Sequence, residues 1–491
     1  MTVATGPGTG AVSGVPDRMM IGGQWRSAAD GAELAVVDPA TEATIAHVPV
    51  ATDADIALAL ESAAQGFVDW ARSDVWTRSA VLRRVAALLR EQAPVVAATI
   101  TAEQGKPLAE ATAEVNASAE YFDWFADETR RNYGRVVEAH SRNNRILVVH
   151  QPIGPVAAFT TWNFPLLLPS RKVAAALAAG CSVVLKPAEE TPRTALLLAR
   201  ICIEAGVEPR AINVITGDPA RISTALIASD VIRKVSLTGS TAVGRTLLRQ
   251  CADGVKSVSM ELGGHAPVIV CDDADLDLAL ETCVAAKFRC TGQVCTSPSR
   301  FLVARSLAEQ FARRFAEIAR GLRVGPGTDP ATQVGPVSSE RRLTAIMGMV
   351  EDAVAHGAEV VTGGRRDSTQ PRGWFFEPTV LAGVTPSMQV ATTEVFGPIA
   401  PVLVYDDLDE AIAIANATPY GLAGYVFTTN VTRAFELSER LEVGVVGVNN
   451  LVVATPEAPF GGVKQSGSGR EGGSEGIVDY CTVKYINMRL R

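Results

Sequence analysis

Apolar residues recur at helical spacing over 54–72 and 78–104, and the pattern predicts amphipathic helices there, with a third over 107–132. At 145–152 and 156–160 it changes to short runs rich in Val, Ile and Ala, which predict strands. From there the order alternates. A helix is expected over 169–179, a strand over 182–185, a helix over 192–205 and a strand over 211–214. A short helix, a strand over 234–237, a glycine turn and a helix over 241–252 complete the run. Strands separated by crossover-length helices predict a doubly wound parallel sheet. Beyond Gly264 the alternation restarts: a strand over 267–271, a helix over 275–288, a polar loop, a strand over 301–303 and a helix over 306–320. A second α/β lobe is therefore expected, with ligands in a cleft at strand carboxyl ends. Segment 477–490 alternates too briefly to form its own sheet and needs a partner, near residue 147 or on a neighbouring chain.

Composition narrows the class. A chain of 491 residues, 47% apolar and 20% charged, exceeds one ordinary domain and is typical of soluble globular proteins. The first sixteen residues, rich in Gly, Pro, Thr and Ala, are expected to form a loose tail, not a signal peptide. The most apolar stretch, 166–185, is interrupted by Arg171 and Lys172 and contains Pro169, which argues against a membrane span. A formal charge of -8 argues against nucleic acid as a partner. The eight cysteines are scattered, and with five histidines they make no metal-ligand spacing. A reducing, cytoplasmic location and no metal are expected.

The chemistry concentrates at a few turns. Cys295 follows Gly292-Gln293-Val294 and precedes Thr296-Ser297, a polar loop between helix and strand. A thiolate there is an effective carbonyl nucleophile. Cys290 fits either a packed thiol or a redox partner for Cys295. Glu261, before Leu262-Gly263-Gly264, suits a general base that activates water against an acyl-cysteine, or a solvated strand-end charge. Asn163, in Trp162-Asn163-Phe164-Pro165, suits an oxyanion donor or a turn residue. Gly239-Ser240-Thr241 follows a strand and opens a helix, where backbone donors accept a pyrophosphate, although the three-glycine dinucleotide fingerprint is absent. Lys186 and Glu189 close another strand and can reach a ribose.

These motifs, in order, resemble the aldehyde dehydrogenase superfamily from about residue 20 onwards: Thr161 to Pro165, Lys186-Pro187-Ala188-Glu189, Gly239-Ser240-Thr241, Glu261 to Gly264, and Gly292 to Cys295. Glu394-Val395-Phe396-Gly397-Pro398 and Pro459-Phe460-Gly461-Gly462 continue the match. The resemblance implies a Rossmann-like nucleotide-binding lobe over 1–130 and 151–261, and a catalytic lobe over 262–474. It also implies a small β oligomerisation flap over 131–150 and 475–491, giving homodimers or homotetramers. Cys295 would be the nucleophile, Glu261 the base, Asn163 and the Cys295 N–H the oxyanion hole, and Lys172 an aid to proton transfer. Thr161, Trp162, Lys186, Glu189, Gly239, Ser240, Glu394 and Phe396 would hold NAD, with Glu189 repelling the extra phosphate of NADP and Lys186 partly offsetting that.

Within the superfamily the chain is most similar to succinate-semialdehyde dehydrogenases, through Arg171-Lys172-Val173 and Phe288-Arg289. Phe164, Arg171, Arg289, Thr455 and Phe460 would then line the substrate pocket, with the arginines holding a distal carboxylate by bidentate bonds. Cys290, Thr291, Ala454 and Thr296-Ser297-Pro298-Ser299 depart from that subfamily. Glutarate and α-ketoglutarate semialdehydes, or neutral and aromatic aldehydes, are the alternative substrates.

Overall fold

The computed structural model describes Val12 and residues 14–490; most of the expected tail over 1–16 lies outside them. Helix Asp53–Trp70 begins at a capping box, in which the Thr52 hydroxyl accepts from the Asp55 N–H and the Asp55 carboxylate accepts from the Thr52 N–H at 2.9 Å. The stretch expected as one helix over 78–104 is two, Val75–Glu91 and Ala93–Gln104. Pro94 has no N–H for an unbroken helix and its ring would collide with the preceding turn, so the chain kinks at Gln92. Helix Leu108–Arg131 then follows as expected.

The first large sheet has a parallel centre whose spatial order is Ser257–Glu261, Lys234–Thr238, Val156–Phe159, Val183–Lys186 and Ile212–Val214. Sequence order reverses beside Val156–Phe159, since the next two strands build outward on one side and the last two on the other. The crevice beyond the carboxyl ends of Val156–Phe159 and Lys234–Thr238 is thus a topological switch point, where such sheets receive ligands. Met19–Ile21 and Gln24–Arg26 extend one edge, antiparallel, and Gly467–Ser468 extends the other. Strands this short carry no readable alternation, and the sequence pattern does not predict them. Gly467–Ser468 lies within the stretch expected in the catalytic lobe, yet it pairs with Met260 and Glu261 of the first sheet.

The second sheet orders Glu359–Thr362, Thr379–Ala382, Ile399–Tyr405, Pro298–Ala304, Ala266–Val270, Ala423–Phe427 and Val445–Val448. Ala266–Val270 and Pro298–Ala304 are buried along their whole length, as continuous apolar runs between covered faces must be. In the third sheet, Cys481–Arg489 pairs antiparallel with Asn144–Pro152, from Cys481 opposite Pro152 to Arg489 opposite Asn144, and Arg135–Val137 completes it. The last segment therefore finds its partner in its own chain. No helix among the described residues is long and apolar enough to cross a membrane. The apolar stretch around 166–185 forms helix Leu167–Ala179, packed against Val156–Phe159 and helix Leu108–Arg131, with Arg171 and Lys172 buried on it.

Candidate active site

A cavity of about 390 Å³ opens at the switch point. Thr161, Trp162 and Asn163 reach it from the turn after Val156–Phe159, and Thr238, Gly239 and Ser240 from the end of Lys234–Thr238. Cys295, Glu394 and Phe396 face them from the second lobe. Ser339, Arg341 and Arg342, at the start of helix Glu340–Ala355, complete one wall and were not picked out by the sequence motifs. Trp162 and Phe396 meet edge to face, with centroids 5.4 Å apart. Ser240 caps helix Thr241–Asp253, its hydroxyl accepting from the Val243 N–H at 3.3 Å, so the positive end of that helix lies at the cavity. The Glu394 carboxylate accepts from the Gly264 N–H at 3.0 Å, and burial pushes it up to about 7.

Cys295 is half-buried, the one cysteine on this cavity's lining. Burial pushes its thiol up to about 12, while the charges of Arg171 and Arg289 pull it down and those of Glu261 and Glu394 push it up. Its loop is held in a demanding shape. Cys290, Thr291 and Gly292 all have positive φ, at 50°, 57° and 71°, and a Cβ on Gly292 would stand 2.2 Å from the Gly397 carbonyl oxygen. On the other side, a Cβ on Gly264 would stand 2.4 Å from the Cys295 carbonyl oxygen, so only glycine lets strand and loop approach so closely. Cys290 is buried away from this cavity, beside Gln104 Nε2 at 3.4 Å and the Asn163 carbonyl at 3.5 Å, and burial pushes its thiol up to about 11. Packing is the role its surroundings fit.

Asn163 is buried, and its Nδ2 donates to the Gln293 carbonyl at 2.9 Å. An amide has two such donors, so one stays available for an oxyanion. A buried pair unnoticed in the sequence lies beneath it: Lys106 Nζ donates to the Asn163 carbonyl at 2.8 Å and to Glu114 Oε2 at 2.6 Å. Glu114 Oε1 in turn accepts from the N–H groups of Leu166 and Leu167 at 2.9 and 3.1 Å, capping the helix that carries Arg171 and Lys172. Spacing along the chain does not distinguish these two from solvated charges.

Glu261 ends strand Ser257–Glu261 and is buried, with its Oε2 unpartnered. Burial and then the charge of Glu471 hold its carboxyl well above the usual range, opposed by Lys172, Arg171 and Arg470. Glu471 is a further residue that no sequence motif marks. It accepts from Lys172 Nζ at 2.6 Å and lies 3.8 Å from Arg171 Nη1. Lys172 also donates to Ser236 Oγ at 3.1 Å, so it is committed to this carboxylate cluster behind Glu261.

The expected substrate residues are distributed differently. The Arg171 guanidinium packs over Tyr121 at 4.9 Å and Phe460 at 4.7 Å. Arg289 lies over Phe164 at 5.6 Å and lines a separate opening of about 540 Å³ beside helix Leu276–Phe288. The arginines thus approach the cysteine loop from different elements. Thr455 is half-buried in an irregular loop after Val445–Val448. Lys186 and Glu189 form an ion pair at 2.8 Å one strand outward from the cavity wall.

A doubly wound lobe faces a second lobe that presents a thiol at the switch point, an arrangement suited to a cysteine nucleophile beside a bound nucleotide. The aldehyde dehydrogenase family model matches residues 25–486, and the chain belongs to that family. It is an NAD(P)-dependent aldehyde dehydrogenase. It is 45% identical to the 3-sulfolactaldehyde dehydrogenase of Pseudomonas putida, over 95% of this chain and 96% of that one. It is 44% identical to the mitochondrial succinate-semialdehyde dehydrogenase of Arabidopsis thaliana, over 95% and 88%. The crystal structure of an aldehyde dehydrogenase from Brucella melitensis biovar abortus 2308 superposes with a TM-score of 0.96 at 42% identity, covering 100% of both chains.

Proposed function

We propose that this chain oxidises an aldehyde carrying a distal anionic group, succinate semialdehyde first among them, with NAD as acceptor. The observation that carries this reading is Arg171. Its guanidinium is buried between two aromatic rings, its Nε has no partner, and its charge acts on Cys295. Burying a cation without full pairing is costly, and a substrate anion would offset that cost. A sulfonate satisfies the same requirement as a carboxylate, and the relative named for 3-sulfolactaldehyde supports including it.

Thr238 Oγ1 and Arg342 Nε and Nη2 are buried on or beside the cavity without hydrogen-bond partners among the described residues, which fits a polar dinucleotide. Glu189 and Lys186 would hold its adenosine ribose, Gly239 and Ser240 its pyrophosphate side, and Glu394 its nicotinamide ribose, with Thr161, Trp162 and Phe396 against its rings. The Glu189 carboxylate favours a free 2′-hydroxyl over a phosphate, while its ion pair with Lys186 leaves NADP usable. A bound nicotinamide supplies the hydride acceptor. The Cys295 thiolate adds to the aldehyde carbon, and the Asn163 amide with the Cys295 N–H holds the oxyanion. Loss of hydride leaves a thioester on Cys295. Glu261 then takes a proton from water as the water attacks, releasing the acid and the Cys295 thiolate, and Lys172, held by Glu471, aids the onward transfer of that proton.

Steady-state NADH formation tests the substrate class. Succinate semialdehyde, glutarate semialdehyde and 3-sulfolactaldehyde are expected to exceed butanal and benzaldehyde in kcat/KM by at least about tenfold, ~1.4 kcal/mol, and Arg171→Ala should abolish that preference. Neutral aldehydes matching the anions, with Arg171→Ala unchanged, would instead identify a general aldehyde dehydrogenase.

We further infer homodimers or homotetramers. The three-stranded sheet leaves Cys481–Arg489 as an open edge and exposes Val136, Val483 and Tyr485, with Tyr133 exposed just before it, an arrangement that favours pairing with another chain. Light scattering returning the mass of a single chain would exclude this. The eight free cysteines fit a reducing, cytoplasmic setting.

A further inference from the structure

We propose that Arg342 is a cofactor-binding residue that clamps the dinucleotide's pyrophosphate against the helix start at Ser240. This rests on the cofactor assignment above and goes beyond it. Arg342 stands in the first turn of helix Glu340–Ala355, where Ser339 Oγ accepts from its backbone N–H at 3.2 Å. The side chain lines the same cavity as Gly239, Ser240 and Cys295. Its Nε and Nη2 are buried atoms with no hydrogen-bond partner among the described residues. Glu394 is close enough for its charge to be felt, but it forms no ion pair within 4.0 Å with Arg342, and it already accepts from the Gly264 N–H. Arg341, exposed beside it on the same wall, adds to the positive potential.

A guanidinium held in this way is an unfinished site for an anion. Its planar fork matches two oxygens of a phosphate, whereas ribose hydroxyls are neutral and are better served by the Glu394 carboxylate. The helix start at Ser240 supplies the same sign of potential from another part of the wall. A pyrophosphate between them would be neutralised from two directions. The substrate's anion is a poorer match, because Arg171 and Arg289 pack on Phe460 and Phe164 at the cysteine loop.

Titration calorimetry on the intact chain tests this without turnover. The ligands are NAD, ADP-ribose and, by competition, adenosine, at several salt concentrations. Arg342→Gln is expected to weaken NAD and ADP-ribose by about tenfold or more, to leave adenosine nearly unchanged, and to make log Kd less dependent on log salt. Arg342→Lys, which keeps the charge without the fork, should recover part of the loss and carries the test if the glutamine variant fails to fold. Unchanged NAD affinity in both variants, or an equal loss for adenosine, overturns the clamp alone. A parent chain that binds neither NAD nor NADP overturns the cofactor assignment, and the clamp with it.

Discussion

Cys295→Ala is expected to lower NADH formation by at least about 10³-fold while NAD affinity, read by calorimetry, stays within about twofold. Cys295 alone among the eight cysteines lines the cavity, so no other thiol can substitute for it. Cys290→Ser is the natural comparison. That thiol is buried against Gln104 and Asn163, and its loss should change kcat by no more than about threefold, with any effect arising from packing. If the alanine variant kept turnover, or Cys290→Ser were equally inactive, the assignment of the nucleophile would fail. The high thiol pKa adds a direction. Burial favours the neutral thiol, so reaction of Cys295 with an alkylating agent should accelerate as pH rises, and the nearby charges of Arg171 and Arg289 set how far it must rise.

Glu261→Gln should separate the two halves of the reaction. Removing the carboxylate leaves Cys295 able to add and to form a thioester, but leaves the attacking water without a base. The expected result is a burst of NADH comparable to the enzyme present, followed by steady turnover slower by about 10²-fold or more. Stopped-flow absorbance reads both phases. In the parent, burial and Glu471 hold the Glu261 carboxyl above 4.5, so its basic form is lost as pH falls through that raised value, at a higher pH than for an ordinary carboxylate. The acid limb of the parent's kcat profile should lie correspondingly high, and the glutamine variant should lose it. A variant with normal steady turnover would show that Glu261 is not the base.

Local periodicity was sufficient for most of the helices and strands through 320, because side-chain spacing and backbone hydrogen bonding are settled within a few residues. It erred at Gln92, where one proline outweighs a periodic pattern that continues on both sides. The turns that carry Glu261 and Cys295 stand out in the sequence because the glycines beside them are restricted by close approach. Gly264 against the Cys295 carbonyl is the clearest case.

The residues around those groups were not legible. Lys106, in a connection, and Glu114, on a helix, look like ordinary solvated charges until the fold buries them under Asn163. Arg342 becomes informative only because its guanidinium nitrogens are buried without partners at a cavity wall. Glu471 meets Lys172 across 299 residues, and the pairing of Gly467–Ser468 with Met260 and Glu261 brings it there. Spacing along the chain accounts for most of the elements through 320 and marks Cys295, Glu261 and Asn163 as the candidates for chemistry. Which charges surround them is a matter of sheet register and burial, because these, not spacing along the chain, set the distances and the dielectric through which charges act.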